Sequence, residues 1–441
     1  MKSITKQGSI ARNSALNLIG FTVPMVIGLL AVPVMTSELG AARFGLLSLA
    51  FAILEYSGLF DLGLGAATIR EVSGALARQD KGLSTLIAGS VLSQLLLGSV
   101  GAAILVAISP VLVERVFVIP ADLHDEAVSV FRILALMVPA TVALLSLRGI
   151  LDAAGRFDLS NAIRIPSSVA TFLIPAIAAS AGYKLPAIVA MLLVTRVIIC
   201  FVTAYAIKQI LPGHTWNLHV RWETMRPLFV FGGWMSLSNI LSPILVYLDR
   251  FMLAAIVGVA AVGYYTAPFD TVMRLLIVPA ALMGAVYPSV AGMLAVGEDK
   301  SIRSVYRHAN RKLLLMLVGP AVILFVAGPW LLELWLGTTF AEQALNAVRI
   351  LAVGVFFHAL ARVPSGFINA LGRPDLIAKI SLVEMVIHVP LAWILITRYG
   401  LNGAALAWTI RVTADAAILS ITSARVLRAI SARAAPAVSS Q

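Results

Sequence analysis

The sequence predicts an all-α polytopic membrane protein with twelve transmembrane helices in two six-helix lobes. Composition, a series of apolar runs and an internal repeat lead to that fold class. Hydrophobic residues make up 60% of the 441 positions and charged residues 12%, where a soluble domain carries roughly 45–50% and about 25%. A soluble core of this length could not use so many apolar side chains without exposing them, so lipid is the expected solvent.

A helix needs about 20 apolar residues to cross the hydrocarbon. Runs of that kind fall at 14–36, 44–66, 84–109, 128–151, 161–181, 186–210, 227–256, 261–290, 312–335, 344–368, 377–397 and 403–425. Lys2, Lys6 and Arg12 precede the first run. That run is too long for a signal peptide and lacks a clear cleavage site, so it reads as a retained helix. Twelve spans put both termini on one side. The loops on that side hold most of the basic residues, including Arg70, Arg78, Arg156, Arg307, Arg373 and Arg428, whereas the other side holds Arg43, Arg115, Lys184 and Arg398. The positive-inside rule then places the termini in the cytoplasm. The net charge of +12 is therefore topology rather than a nucleic-acid surface. Cys200, the single cysteine, lies in an apolar run and reads as a buried, inert thiol.

The repeat shows first in two short phrases, LDAAGRFDLS at 151–160 and INALGRPDLI at 368–377. Each falls in a turn between spans. Gly155 and Gly372 suit the left-handed end of a helix, Arg156 and Arg373 suit a helix C-terminus, and Asp158 and Asp375 are placed to cap the next helix. Further matches run in the same order: LGAARFG at 39–45 with VGVAAVG at 257–263, Pro175 with Pro390, and Arg196 with Arg411. Collinear matches indicate two copies of a six-helix unit, residues 1–215 and 216–441, with 211–226 as the linker. Parallel repeats of this kind are related by a pseudo-two-fold along the membrane normal, and the substrate site is expected between the halves.

Charges inside the spans are the candidate functional groups, because each costs roughly 2.5–3.5 kcal/mol at the bilayer centre. The arginines left once the loop residues are assigned are Arg132, Arg148, Arg196, Arg250, Arg274, Arg349, Arg362 and Arg411. Acids in the spans include Glu55, Asp61, Asp249, Asp270, Glu384 and Asp415. Asp270 with Arg274, and Arg411 with Asp415, have the four-residue spacing of a same-face ion pair. Arg132 and Arg148 lie near helix ends and can snorkel. Arg196, Arg250, Arg349 and Arg362 have no acid three or four residues away. Together with Arg274 and Arg411 they are the expected substrate-binding residues, since the planar guanidinium binds phosphate bidentately. Glu55, Asp61, Asp270, His358 and His388 are the candidates for ion or proton coupling. An ordinary hydrogen-bonded histidine is the competing reading for the last two. No spacing suggests a metal site, a cofactor, an ATP-binding loop or a nucleophile–base pair, so the chain reads as a non-enzyme. Pro24 and Pro33 in the first span, Pro243 in the seventh, and Pro268, Pro279 and Pro288 in the eighth permit kinks.

The segment ELGAARFGLLSLAFAILEYSGLFDLGLGAATIRE at 38–71 resembles the first helical hairpin of bacterial polysaccharide flippases, and YLDRFMLAAIVGVAAVGYYTAPF at 247–269 resembles the matching part of their second half. These flippases serve O-antigen, capsule and exopolysaccharide pathways. They belong to the multidrug/oligosaccharidyl-lipid/polysaccharide exporter superfamily, with the multidrug-and-toxin extruders. The resemblance covers most of residues 1–425. It implies flipping of undecaprenyl-diphosphate-linked oligosaccharide from the cytoplasmic to the periplasmic leaflet of the inner membrane, through a cationic cavity between the lobes. It also implies a monomer surrounded by membrane lipid, working beside a polysaccharide polymerase and chain-length proteins. A cation-coupled drug antiporter and a non-transporting scaffold are the alternatives. Drug extruders of this type depend on an acid in the first helix, where this chain offers only Glu38 at the far end.

Overall fold

The computed structural model describes residues 7–80, 82–211, 245–295 and 299–434. Among them there is no strand. The helices are α1 (Gln7–Tyr56), α2 (Leu64–Arg78), α3 (Leu83–Val111), α4 (His124–Ala153), α5 (Phe157–Ser180) and α6 (Leu185–Ile210). They continue with α7 (245–256), α8 (Val259–Met273), α9 (Ile277–Ala295), α10 (Asp299–Leu336), α11 (Thr338–Ala370) and α12 (Pro374–Ala434). Among the described residues, nine helical segments are long and apolar enough to cross a membrane. The chain divides into two compact units, Met1–Tyr247 and Leu248–Gln441. The expected linker 211–226, all but its first residue, and Pro243 lie outside the described residues.

In the first unit α4 is the central helix and packs on α2, α3 and α6. Half of its apolar stretch is buried, and Leu144, Leu147, Ile150 and Leu151 join Ile87 and Ile207 in the core. In the second unit α11 holds the same place. It packs on α8, α9, α10 and α12, is half buried, and supplies Ala359, Val363 and Phe367 to a core with Leu313 and Leu317. α4 and α11 are the helices that lead into the two repeated phrases.

The repeated turns share one hydrogen-bonding pattern. Gly155 and Gly372 have φ of 71° and 73°. Arg156 N–H bonds the Leu151 carbonyl at 2.9 Å and Arg373 N–H the Ile368 carbonyl at 3.1 Å, which closes the helix end as glycine C-caps do. The aspartates stand in the first turn of the next helix, where they also take the arginine of the turn. Asp158 takes the Arg156 guanidinium on both oxygens at 2.9 Å, and Asp375 takes Arg373 at 3.0 and 3.1 Å. The planar fork matches the carboxylate two residues on better than a backbone amide does.

Three spans differ from their expected form. α1 breaks at Gly40 (φ 71°, ψ 167°) and not at Pro24 or Pro33. The matching Gly258, at φ 124° and ψ 166°, separates α7 from α8. The expected second span, 44–66, is interrupted by a 3-10 turn at Ser57–Asp61, with Leu62 in the left-handed region and Gly63 likewise. Asp61 repairs the break: its carboxylate accepts the Gly65 N–H at 2.8 Å and the Gln94 side-chain amide. The expected eighth span, 261–290, is split by a 3-10 turn at Arg274–Leu276. Pro279 follows, and its missing N–H leaves the carbonyl four residues earlier without a helical donor.

Candidate functional site

The second unit holds several of its charges in cross-helix pairs. Asp249 and Arg250 are consecutive on α7 and only 1% and 4% exposed. His388, also 1% exposed, donates through Nε2 to Asp249 Oδ1 at 2.9 Å. Arg250 pairs with Asp270 of α8 and stands 5.5 Å over the Phe269 ring. Arg411 reaches Glu384 at 3.8 Å, across the two limbs of α12 on either side of Gly400. Arg362 donates to His358 Nε2 at 3.1 Å, so that nitrogen is an acceptor there and carries no proton. Tyr265 stacks on Phe269 and Phe269 meets Trp408 edge-on among these groups, with ring centroids 5.3 and 5.1 Å apart. A cavity of about 300 Å³ lies between the limbs of α12, lined by Ile380, Val383, Ile387, Ile410 and Ile418 and by Glu384, His388 and Arg411.

These contacts add cross-helix partners to the pairs expected from helical spacing. Asp270 is held by Arg250, not by Arg274 alone, and Arg274 sits half-buried in the 3-10 turn. Arg411 takes Glu384 at salt-bridge distance, with Asp415 as a neighbour of Glu384. His388 pairs with Asp249 and not with Glu384, four residues before it. A buried charge is stabilised by whichever counter-charge packing brings to it, and tertiary contacts outrank spacing along one helix. Arg349 is exposed on α11, with no ion pair among the described residues.

The first unit is organised differently. Arg196 on α6 faces a space of only about 10 Å³ lined by Phe51, Met137, Ser167, Thr171 and Thr195. Arg148 of α4 lies within electrostatic reach of Arg196 and of Arg164 on α5. It is half-buried, and its Nε has no hydrogen-bond partner among the described residues. Arg164 donates to Asn161 at 2.9 Å. Glu55 is exposed and within electrostatic reach of Arg196. Asp61 is committed to the repair of the helix break. Cys200 is half-buried and donates to the Ala140 carbonyl at 3.3 Å. At one end of α4, Glu126 accepts Arg43 at 3.0 Å and the Leu185 N–H at 3.2 Å, tying α1, α4 and α6 together.

The sequence did not single out Arg148 and Arg164 as members of one cluster with Arg196, nor Asp249 as the partner of His388. A signal was present for the first. Arg148 lies shortly before the phrase at 151–160 and Arg164 shortly after it, so the turn brings both to one end of the unit.

Two helical units that keep arginines and carboxylates inside an apolar interior define a multi-pass membrane protein of the transporter class. The structure resembles the inward-facing conformation of a multidrug resistance MATE family transporter of the MOP superfamily, with a TM-score of 0.78 at 16% identity, covering 94% of this chain and 98% of that one. A MOP superfamily transporter from Pyrococcus furiosus, noted for the reverse polarity of its binding pocket, gives 0.66 at 17% identity over 96% of both chains. Residues 235–394 match the MatE family. Residues 10–293 match the family called Polysaccharide biosynthesis protein. A Shigella flexneri protein named for O-antigen transport is 33% identical over 415 residues, covering 93% of this chain and 97% of that protein. The uncharacterized membrane protein EpsK of Bacillus subtilis (strain 168) is 24% identical, covering 86% of this chain and 75% of that protein. The chain belongs to the polysaccharide biosynthesis protein family.

Proposed function

We propose that this protein flips undecaprenyl-diphosphate-linked oligosaccharide from the cytoplasmic to the periplasmic leaflet of the bacterial inner membrane. The observation that carries the reading is the similarity to the Shigella flexneri protein along nearly the whole chain. Arginines inside the spans fit it, since a flippase for a diphosphate must offer cations within the hydrocarbon.

Twelve spans suit the helices. Thr22–Asp61 and Asp375–Arg428 are 40 and 54 residues long, about twice what one crossing needs, and each is broken by a glycine. Divided there, the nine segments become eleven, and α7 belongs to one more. The two lobes are taken as repeats of one unit, on the strength of the repeated turns and of the shared central place of α4 and α11. The basic loops orient both termini to the cytoplasm.

Alternating access needs no ATP here. A diphosphate carries net negative charge, and each charge crossing the full field gains roughly 2.3 kcal/mol per 100 mV. Two charges at about 100 mV gain about 4.6 kcal/mol, more than a thousandfold in equilibrium ratio. Arg196 is the residue retained for the phosphate. Arg250, Arg274 and Arg411 lie beside acids of their own and serve the architecture. The Asp249–His388 pair is the group through which a proton would act if coupling were by antiport, with Glu55, Asp270 and His358 more exposed or otherwise engaged.

The test is removal of this protein from its own cell and return of wild-type or Arg196→Ala protein. Loss of surface polysaccharide, with lipid-linked repeat units building up at the cytoplasmic face, is the expected result. Unchanged polysaccharide in the cell without the protein would overturn the reading.

A further inference from the structure

The start of α10 and the end of α12 carry cations that the groups described above do not use. α10 is 38 residues long, about 57 Å of helix, well beyond one crossing of a hydrocarbon core about 30 Å thick. Its uncharged part runs from Leu313 to Leu332. Arg303, Arg307, Arg311 and Lys312 precede that part, and no acid stands between Lys300 and Leu332. The extension is folded onto the second unit. Ile302, Ala309 and Leu313 are buried with Leu427 of α12, and the Tyr306 and Ser423 hydroxyls meet at 2.7 Å. Arg425 and Arg428 stand exposed on either side of Leu427, and α12 has no acid after Asp415. None of these cations forms an ion pair among the described residues.

The face that carries the arginines says what they meet. Arg303, Arg307 and Arg311 are exposed at intervals of four, and the exposed stripe continues through Leu315, Val318, Val322, Val326 and Trp330. Residues three and four apart share a helix face, so the arginines lie on the face whose apolar side chains turn to lipid. Lys312 and Glu333 are 21 positions apart, about 32 Å along the axis, which matches the hydrocarbon core. Arg311 then stands at the edge of the hydrocarbon, with Arg307 about 6 Å and Arg303 about 12 Å beyond it. A headgroup layer is about 5–8 Å deep, so the stripe crosses the level of the lipid phosphates.

A topology signal asks only for basic residues somewhere in a loop. It does not ask for a packed helix that aligns them with lipid-facing side chains. Nor does the repeat supply the arrangement. α3 precedes α4 as α10 precedes α11, yet α3 begins at Leu83 and has no Lys or Arg through Val111. A row of cations at headgroup level, without acids of its own, is complementary to lipids of net negative charge.

We propose that the Arg303–Arg307–Arg311 stripe, with Arg425 and Arg428 on the helix packed beside it, is a binding site for the headgroups of anionic phospholipids. The guanidinium forks take the phosphate oxygens. The arginine stems lie along the helix surface, and the acyl chains follow Leu315, Val318 and Val322. Ile302, Ala309 and the Tyr306–Ser423 contact hold the extension, so the donors are in place before lipid arrives. Bound headgroups set the depth of this end of α10 and α12 in the leaflet. The inference needs only a membrane-spanning chain and stands apart from the flippase reading.

The test uses full-length protein in phosphatidylcholine nanodiscs that contain a small share of photoactivatable phosphatidylglycerol, or of phosphatidylcholine bearing the same group. Adducts are located by mass spectrometry of peptides. Wild type should give adducts around 303–316 and 425–428 with phosphatidylglycerol, well above those with phosphatidylcholine. Arg303→Gln, Arg307→Gln and Arg311→Gln should each lower the phosphatidylglycerol yield about fivefold, the effect of one cation near the membrane surface. The triple Gln variant should fall to the phosphatidylcholine level. The triple Lys variant keeps the charge and should keep most of the preference. Raising salt from about 0.1 to about 1 M shortens the screening length from about 10 to about 3 Å and should weaken the wild-type preference. Equal yields of the two lipids on wild type would overturn the proposal and leave the stripe to an acidic protein partner. A preference unchanged in the triple Gln variant would also overturn it. So would adducts of photoactivatable undecaprenyl diphosphate at these peptides with phosphatidylglycerol at the phosphatidylcholine level. Should the triple Gln variant fail to fold, wild type decides: a preference that ignores salt contradicts the site.

Discussion

Replacing Asp249 tests the internal electrostatics of the second unit. Asp249 and His388 are both 1% exposed, meet at 2.9 Å, and join α7 to the first limb of α12 across 139 residues of sequence. Asp249→Ala removes the acceptor and leaves the imidazole buried without its partner. Breaking a buried pair from one side costs about 3–5 kcal/mol when the remaining group is charged. The cost is about 1–3 kcal/mol when it is merely a polar group left unsatisfied. Asp249→Asn keeps an oxygen for the His388 N–H and should cost about 1 kcal/mol. His388→Leu with Asp249→Leu removes both polar groups and should recover much of the loss, as apolar replacement of buried ion pairs does. The assay is the thermal midpoint of purified protein in one detergent, read by loss of the monodisperse peak. The order expected is wild type, then Asn, then the double Leu variant near it, with Ala lowest. An Asp249→Ala protein as stable as wild type would refute the view that this pair holds α7 to the first limb of α12.

Other consequences can be measured separately. Gly155→Ala and Gly372→Ala force a side chain to φ of 71° and 73°, at a cost of about 1–2 kcal/mol each. The two should lower the thermal midpoint by similar amounts, and unequal losses would contradict the equivalence of the turns. Gly354→Ala places a methyl group 2.4 Å from the Trp408 ring, an overpacking of about 1–3 kcal/mol or more, read as reduced yield of monodisperse protein. Ala154→Cys in a Cys200→Ser background should react with a membrane-impermeant maleimide only from the cytoplasmic side. Labelling from the periplasm would reverse the topology.

The fold class was legible because it rests on quantities local to the chain. Apolar run length fixes which segments enter lipid, and Gly155 and Gly372 mark helix ends wherever they occur. The turn aspartates were placed correctly at the start of the next helix, but their arginine partners two residues back were not foreseen. The break at 57–63 was not legible. It depends on Asp61 meeting Gln94 of α3, and the run 44–66 is apolar enough to read as one helix. Pairing of charges was the least legible feature. Asp270 has a suitable arginine four residues on, yet packing of α7 against α8 also delivers Arg250, which the spacing along one helix does not show. Arg349 shows the converse: it has no acid at helical spacing, like Arg196, but stands exposed. Absence of a local partner identifies an unusual charge without saying where the helix turns it.

The most direct test of the flippase account is transport by the purified protein in sealed proteoliposomes, with labelled undecaprenyl-diphosphate-linked oligosaccharide and with potential and ion gradients clamped independently. The account predicts protein-dependent movement without ATP. Its extent should grow by up to about a thousandfold as the destination side is made about 100 mV positive, with little response to a proton or sodium gradient at zero potential. Movement that ignores the potential and follows a proton or sodium gradient would contradict the electrophoretic mechanism, and vesicles that leave the lipid in place while expelling cationic drugs would contradict the function itself.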